Sequence, residues 1–165
     1  LVPRHPQRFA EVAAAVEARG LPLQRRSANE LPAPTTRVWL GDSMGEMAAY
    51  YALANLALIG GSLQPLGGQN LIEAAACGCP VLVGPHTFNF AQATADALAC
   101  GAARRVEDAD AAARLALDLL SQDGSGEATL AGMRRASAAF SAAHQGATAR
   151  TLALIAERLK FDRHG

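Results

Sequence analysis

Net charge is absent from this chain. Lys and Arg total 15, Asp and Glu total 15, and the formal charge is zero. A nucleic-acid surface calls for a basic stripe, so nothing points to that partner. Aromatic residues are only 5% of the chain, which argues against platforms for stacked bases. No apolar run approaches the roughly 20 residues that a membrane span needs. The start, Leu1-Val2-Pro3-Arg4, lacks the charged opening and apolar core of a signal peptide. It also lacks an initiator Met, so the chain reads as part of a longer protein. The alternative readings of Leu1 to Arg4 are a protease-site remnant and a strand end entering a functional turn.

Cysteine is scarce and odd in number: Cys77, Cys79 and Cys100. That fits a reducing compartment better than a disulfide framework. Cys77 and Cys79 flank a glycine at an expected helix end, and no second ligand cluster at zinc spacing accompanies them, so no metal is expected. No Ser/His/Asp or Cys/His set has supporting context. The GxGxxG order of dinucleotide folds is missing too.

Glycine is abundant in one place. Gly60-Gly61-Ser62-Leu63-Gln64-Pro65-Leu66-Gly67-Gly68-Gln69-Asn70-Leu71-Ile72-Glu73 joins the apolar run Leu56 to Ile59 to an apolar helix. The first run reads as a buried strand. The helix covers Leu71 to Cys77 and is expected to begin near Gly67 or Gly68. Such a strand–loop–helix junction can offer backbone N–H groups to an anion and let a ligand approach the main chain closely.

The rest of the chain alternates in the same way. Helices are expected over Arg8 to Arg19, Glu46 to Leu53, Phe88 to Cys100 and Asp108 to Ser121. Strands are expected near Leu21 to Gln24, Arg37 to Leu40, Val81 to Val83 and Ala102 to Val106. Two alanine-rich helices follow, Glu127 to Ala143 and Gln145 to Lys160. At 165 residues this suits one compact α/β domain, residues 1–165, with a parallel sheet covered by helices on both faces. Ligands of such sheets bind beyond the carboxyl ends of the strands. The loops Pro3 to His5, Gly41 to Glu46, Gly60 to Glu73 and Gly84 to Asn89 all follow strands and should meet at that edge.

Each loop carries candidate residues with a bland and a functional reading. Asn70 and Glu73 lie three apart and share a helix face. Glu73 either satisfies the helix N-terminus or accepts hydrogen bonds from a ligand diol, since two carboxylate oxygens suit two adjacent hydroxyls. Asn70 either donates to a phosphate or holds the loop. Arg4 is a solvated surface residue or, stiffened by Pro3 and Pro6, a guanidinium aimed at phosphate or carboxylate. Asp42 or Ser43 can cap a helix, and with Glu46 resembles a capping box. The functional version adds Gly45 backbone contacts and a polar contact from Glu46. His86 is a satisfied loop histidine or a contact to an acidic sugar or phosphate.

In this order, Leu1-Val2-Pro3-Arg4-His5-Pro6, Gly41-Asp42-Ser43-Met44-Gly45-Glu46, Gly60-Gly61-Ser62-Leu63 with Gly67 to Glu73, and Gly84-Pro85-His86-Thr87-Phe88-Asn89-Phe90 resemble the C-terminal lobe of the 3-deoxy-D-manno-octulosonic acid (Kdo) transferases that modify lipid A. The resemblance implies a Rossmann-like lobe of a GT-B glycosyltransferase that binds CMP-Kdo, without a cofactor or metal. CMP contacts would fall on Pro3, Arg4, Met44, Gly45, Glu46, Asn70, Leu71, Ile72 and Glu73. His86 would be a possible contact to the donor sugar. The acceptor would be the lipid A precursor, held by an N-terminal lobe absent from this chain. That lobe would also supply the glutamate base of an inverting reaction and the peripheral contact with the cytoplasmic face of the bacterial inner membrane. This chain alone would then be inactive. Two positions depart from the family pattern: Gln69 stands where a histidine is usual, and cannot titrate near neutral pH, and Cys77 also replaces a frequent histidine. The competing readings are a GT-B-like sugar-nucleotide epimerase lobe and a non-enzymatic nucleotide-binding domain.

Overall fold

The computed structural model describes residues 1–144, 151–156 and 158. Residues 1–144 form a mixed α/β structure with parallel strands, which divides into two compact units, Leu1–Tyr50 and the described residues from Tyr51 onward.

The first unit holds helix α1 (Phe9–Glu17) and strands β1 (Leu23–Arg25) and β2 (Val38–Leu40), paired in parallel with Leu23 opposite Val38 and Arg25 opposite Leu40. A single 3-10 turn at Pro6–Arg8 leads into α1, so the expected start at Arg8 is one residue early. Proline suits that turn, because its fixed φ and missing N–H cost nothing there. Ala13 and Val16 of α1 and Leu40 of β2 are buried in its core. Leu1 extends the ladder on the other side of β2. Its nitrogen donates to the Trp39 carbonyl at 2.8 Å and its carbonyl accepts from Gly41 N–H at 2.8 Å. Leu1 is thus bonded to β2 at two points, although residues 1–3 form no strand element of their own.

Helix α2 (Met47–Leu53) joins the units. The second unit continues with β3 (Ala57–Leu58), α3 (Leu71–Ala76), β4 (Val81–Val83), α4 (Ala91–Ala99), β5 (Ala103–Arg105), α5 (Ala109–Leu119) and α6 (Glu127–His144). Strand order is β3-β4-β5, all parallel, with Ala57 opposite Val81 and Val81 opposite Ala103. Central β4 is buried at every position. Successive strand residues point to opposite faces. Val81 and Val83 enter one cluster with Leu71, Ala74 and Ala75 of α3 and Ala97 of α4. Leu82 enters another with Leu119 of α5 and Leu130 and Met133 of α6. Helices thus cover both faces of this sheet, and the unbroken apolar run Val81-Leu82-Val83 follows from that.

One local expectation is corrected here. Helix α3 begins at Leu71 with Asn70 as its N-cap, not near Gly67 or Gly68. Both glycines have positive φ, 86° and 74°, which no right-handed helix contains. The other end of α3 is the expected helix stop: Gly78 N–H donates to Ala75 at 2.9 Å and Cys79 N–H to Ala74 at 3.0 Å, a Schellman arrangement. This accounts for the glycine between Cys77 and Cys79, whose φ is 68°. Among the described residues no group of His, Cys, Asp and Glu could hold a metal ion, and no helix is long and apolar enough to cross a membrane. Most of the last expected helix, Gln145 to Lys160, lies outside the described residues; residues 151–156 are helical.

Candidate functional site

In a parallel sheet every strand ends on the same edge, so the loops that follow them share that edge within each unit.

In the first unit, Pro3 and Arg4 follow Leu1, which is bonded to β2, Arg26 to Ala28 follow β1, and Gly41 to Glu46 follow β2. Arg4 is exposed and Pro3 half-buried. Met44 and Gly45 are exposed at the tip of the third loop. The capping box expected there does not form. Glu46 itself precedes α2, and its carbonyl accepts from Ala49 N–H at 3.0 Å and Tyr50 N–H at 3.2 Å. The Glu46 carboxylate instead collects side-chain donors. Arg26 Nη2 donates to Oε1 at 2.9 Å, Tyr50 OH to Oε2 at 3.3 Å, and the Ser43 hydroxyl to Oε2 as well. The Ser43 hydroxyl contributes most to holding the carboxyl below its ordinary value, against opposing desolvation and with help from Arg26. Asp42 does not cap α2 either. It reaches across to the turn after β1, accepting from Ser27 N–H at 2.8 Å and Ser27 Oγ at 2.7 Å. Arg26, Ser27 and Tyr50 escaped the sequence reading. The adjacent Arg25-Arg26-Ser27 at a strand end was the available signal.

In the second unit the loops after β3 and β4 are bonded to one another. Ser62 is fully buried. Its hydroxyl donates to the Ile59 carbonyl at 2.5 Å and accepts from Gly84 N–H at 2.8 Å, and its carbonyl accepts from His86 N–H at 2.9 Å. Asn89 N–H donates to Gly67 at 3.1 Å and Asn89 Nδ2 to Leu66 at 3.2 Å. A Cβ on Gly67 would lie 2.4 Å from Asn89 Nδ2. The close approach that the glycines permit there is that of the neighbouring loop. Arg105, at the end of β5, holds the same loop by donating to the carbonyls of Gly84 at 2.9 Å and Pro85 at 3.1 Å. It too was missed. His86 is half-buried between these anchors.

Beyond the clasp stand Asn70 and Glu73. Asn70 Oδ1 accepts from Ile72 N–H at 3.0 Å, which is the N-cap bond, and Nδ2 donates to Glu73 Oε1 at 3.1 Å. One residue therefore both caps the helix and aims the carboxylate. Glu73 is exposed at the sheet's carboxyl edge. Leu71 is 2% exposed and packed in the core with Ile72 against it, so Leu71 can offer a ligand only its backbone. Gln69 is half-buried beside them.

No protein-family model matches the chain. It is 55% identical over 153 residues to a 3-deoxy-D-manno-octulosonic acid transferase of Bordetella pertussis, covering 92% of this chain and 35% of that protein. A transferase of the same name from Haemophilus influenzae is 50% identical over 90 residues, 54% of this chain and 21% of that one. The chain thus spans about a third or less of the length of these curated relatives. Among solved structures, the C-terminal CMP-Kdo binding domain of WaaA from Acinetobacter baumannii aligns with a TM-score of 0.74 and 33% identity, covering 82% of this chain and 72% of that domain.

Proposed function

The chain belongs to the Kdo transferase family, as its C-terminal domain, and we propose that it is the lobe that binds the CMP-Kdo donor. The observation that carries the reading is its likeness, over most of its length, to a solved domain named for CMP-Kdo binding. The chemistry of the loops agrees with it. Glu73, exposed and aimed by Asn70, offers a carboxylate to the two ribose hydroxyls. Arg4, exposed just after the Leu1 pairing with β2, offers a planar donor to the phosphate. Pro3, Met44, Gly45 and Glu46 complete the assigned nucleotide contacts, with Leu71 and Ile72 contributing main chain. His86 is assigned to the donor sugar.

The parent protein is then a GT-B glycosyltransferase that moves Kdo to the lipid A precursor. In the inverting reaction a carboxylate of the N-terminal lobe removes the proton of the acceptor hydroxyl as that oxygen attacks the anomeric carbon. The bond from that carbon to the CMP phosphate breaks, and CMP leaves carrying the electron pair. Arg4 would receive part of the charge that develops on the phosphate. The acceptor, the base and the contact with the cytoplasmic face of the inner membrane belong to that other lobe, so this chain alone binds donor and transfers nothing.

Calorimetric titration with CMP, UMP and NAD tests the assignment. CMP should bind, UMP more weakly and NAD not at all. No CMP binding at about 1 mM to the folded chain, a free energy near −4 kcal/mol, refutes the donor-site reading. A preference for UMP would favour an epimerase-like lobe instead.

A further inference from the structure

We propose that Arg26 is a positioning residue of the donor site, bridging the turn after β1 to Glu46 and so fixing where that carboxylate meets the nucleotide. This rests on the assignment of Glu46 as a CMP contact.

Two bridges join the turn after β1 to the loop after β2, and they differ in kind. The Ser27–Asp42 bridge is structural: the Asp42 side chain is only 5% exposed and both its oxygens are engaged by Ser27. The Arg26–Glu46 bridge lies at the surface, each side chain 33% exposed, next to the exposed Met44 and Gly45. Arg26 is held at its own far side. Nη1 donates to Asn29 Oδ1 at 2.6 Å while Nη2 donates to Glu46 Oε1 at 2.9 Å. Asn29 is fixed in turn, since it adopts φ 57° and its N–H donates to the Arg26 carbonyl at 3.0 Å.

The remaining partners of Glu46, Ser43 and Tyr50, both reach Oε2. Arg26 therefore supplies the bond to Oε1 and the tie to a different loop. The planar fork matters here. A lysine carries one compact charge and cannot span Asn29 and Glu46 with the same geometry.

A double-mutant cycle on CMP affinity tests this, with melting curves run alongside. Arg26→Met should weaken CMP binding about fivefold, the scale of a partly exposed charge pair. In a Glu46→Ala background the same change should cost almost nothing, because the residue it positions is gone. Arg26→Lys should fold and lose affinity to an intermediate degree, again only when Glu46 is present. Equal losses in both backgrounds, or no loss in either, overturn the positioning role. If the unsubstituted chain does not bind CMP, the donor-site reading fails and this inference with it. If it binds CMP and Arg26→Met binds equally well, only this inference fails.

Discussion

Glu73→Ala should damage CMP binding far more than folding. The carboxylate is exposed, and its hydrogen bond is to the Asn70 side chain at 3.1 Å. The cap itself is made by Asn70 Oδ1 to Ile72 N–H and survives the substitution. What folding loses is an exposed side-chain hydrogen bond and a carboxylate in the first turn of α3, together below about 1 kcal/mol. For a chain of this size that lowers the melting temperature by no more than about 4 °C. On the proposed ribose contact, binding would lose two charge-assisted hydrogen bonds to adjacent hydroxyls, each about 1.5–3 kcal/mol. At about 1.4 kcal/mol per decade, affinity should fall at least about a hundredfold. Calorimetry with CMP, paired with thermal melting of the same preparation, separates the two quantities. A clear loss of melting temperature with unchanged affinity would refute the reasoning and return Glu73 to a purely helical role.

Gly84→Ala tests the clasp between the loops after β3 and β4. The added Cβ would lie 2.3 Å from the Ser62 carbonyl oxygen and 2.7 Å from Leu63 nitrogen, both main-chain atoms. Forced separation of the loops should cost roughly 3 kcal/mol and about 6–12 °C of melting temperature, read by calorimetric scanning; a change within about 2 °C would contradict the packing. Asp42 predicts an acid response. Burial alone would raise its carboxyl, but the Ser27 hydroxyl and N–H, with Arg25, hold it below its ordinary 3.8. A depressed folded value gives stability that is present above 3.8 and lost as pH falls through the lower folded value. Asp42→Asn should be less stable at neutral pH and should flatten that acid limb in melting curves; parallel limbs would contradict the linkage.

The sequence made the alternation of strands and helices legible because the periods are plain. Val81-Leu82-Val83 is apolar throughout and is buried on both faces, while Asp108 announces α5 and does cap it, accepting from Ala111 N–H at 2.7 Å. What stayed illegible was the choice among polar partners. Asp42, Ser43 and Glu46 fit a capping box by spacing, but spacing cannot register that Ser27 and Arg26 arrive from another strand end. Those long-range partners win because they offer the carboxylates several donors at once, whereas a local cap would satisfy only orphan N–H groups at one helix end. Arg105 was invisible for the same reason, since its acceptors lie some twenty positions back in sequence and only parallel pairing with β4 brings them near.

The same distinction decides what the glycine-rich stretch does. By sequence it is a generic anion cradle. In the structure its tightest positions are filled from within: Asn89 lies against Gly67, and a Cβ on Gly68 would stand 3.4 Å from the His86 carbonyl. Gly68 N–H is also spent on Gly61 at 3.0 Å. Those glycines therefore buttress one loop against another and leave no room for a phosphate at the same atoms. The polar chemistry begins where the glycines end, at Asn70, whose single side chain stops the loop, starts the helix and turns Glu73 outward. A rigid clasp behind an aimed carboxylate suits recognition of a ribose diol, because hydroxyl pairs demand fixed acceptors in a way that a diffuse anion site does not. The Gly67–Asn89 clasp and the Asn70–Glu73 pair should therefore respond differently to substitution, the first in stability and the second in nucleotide affinity.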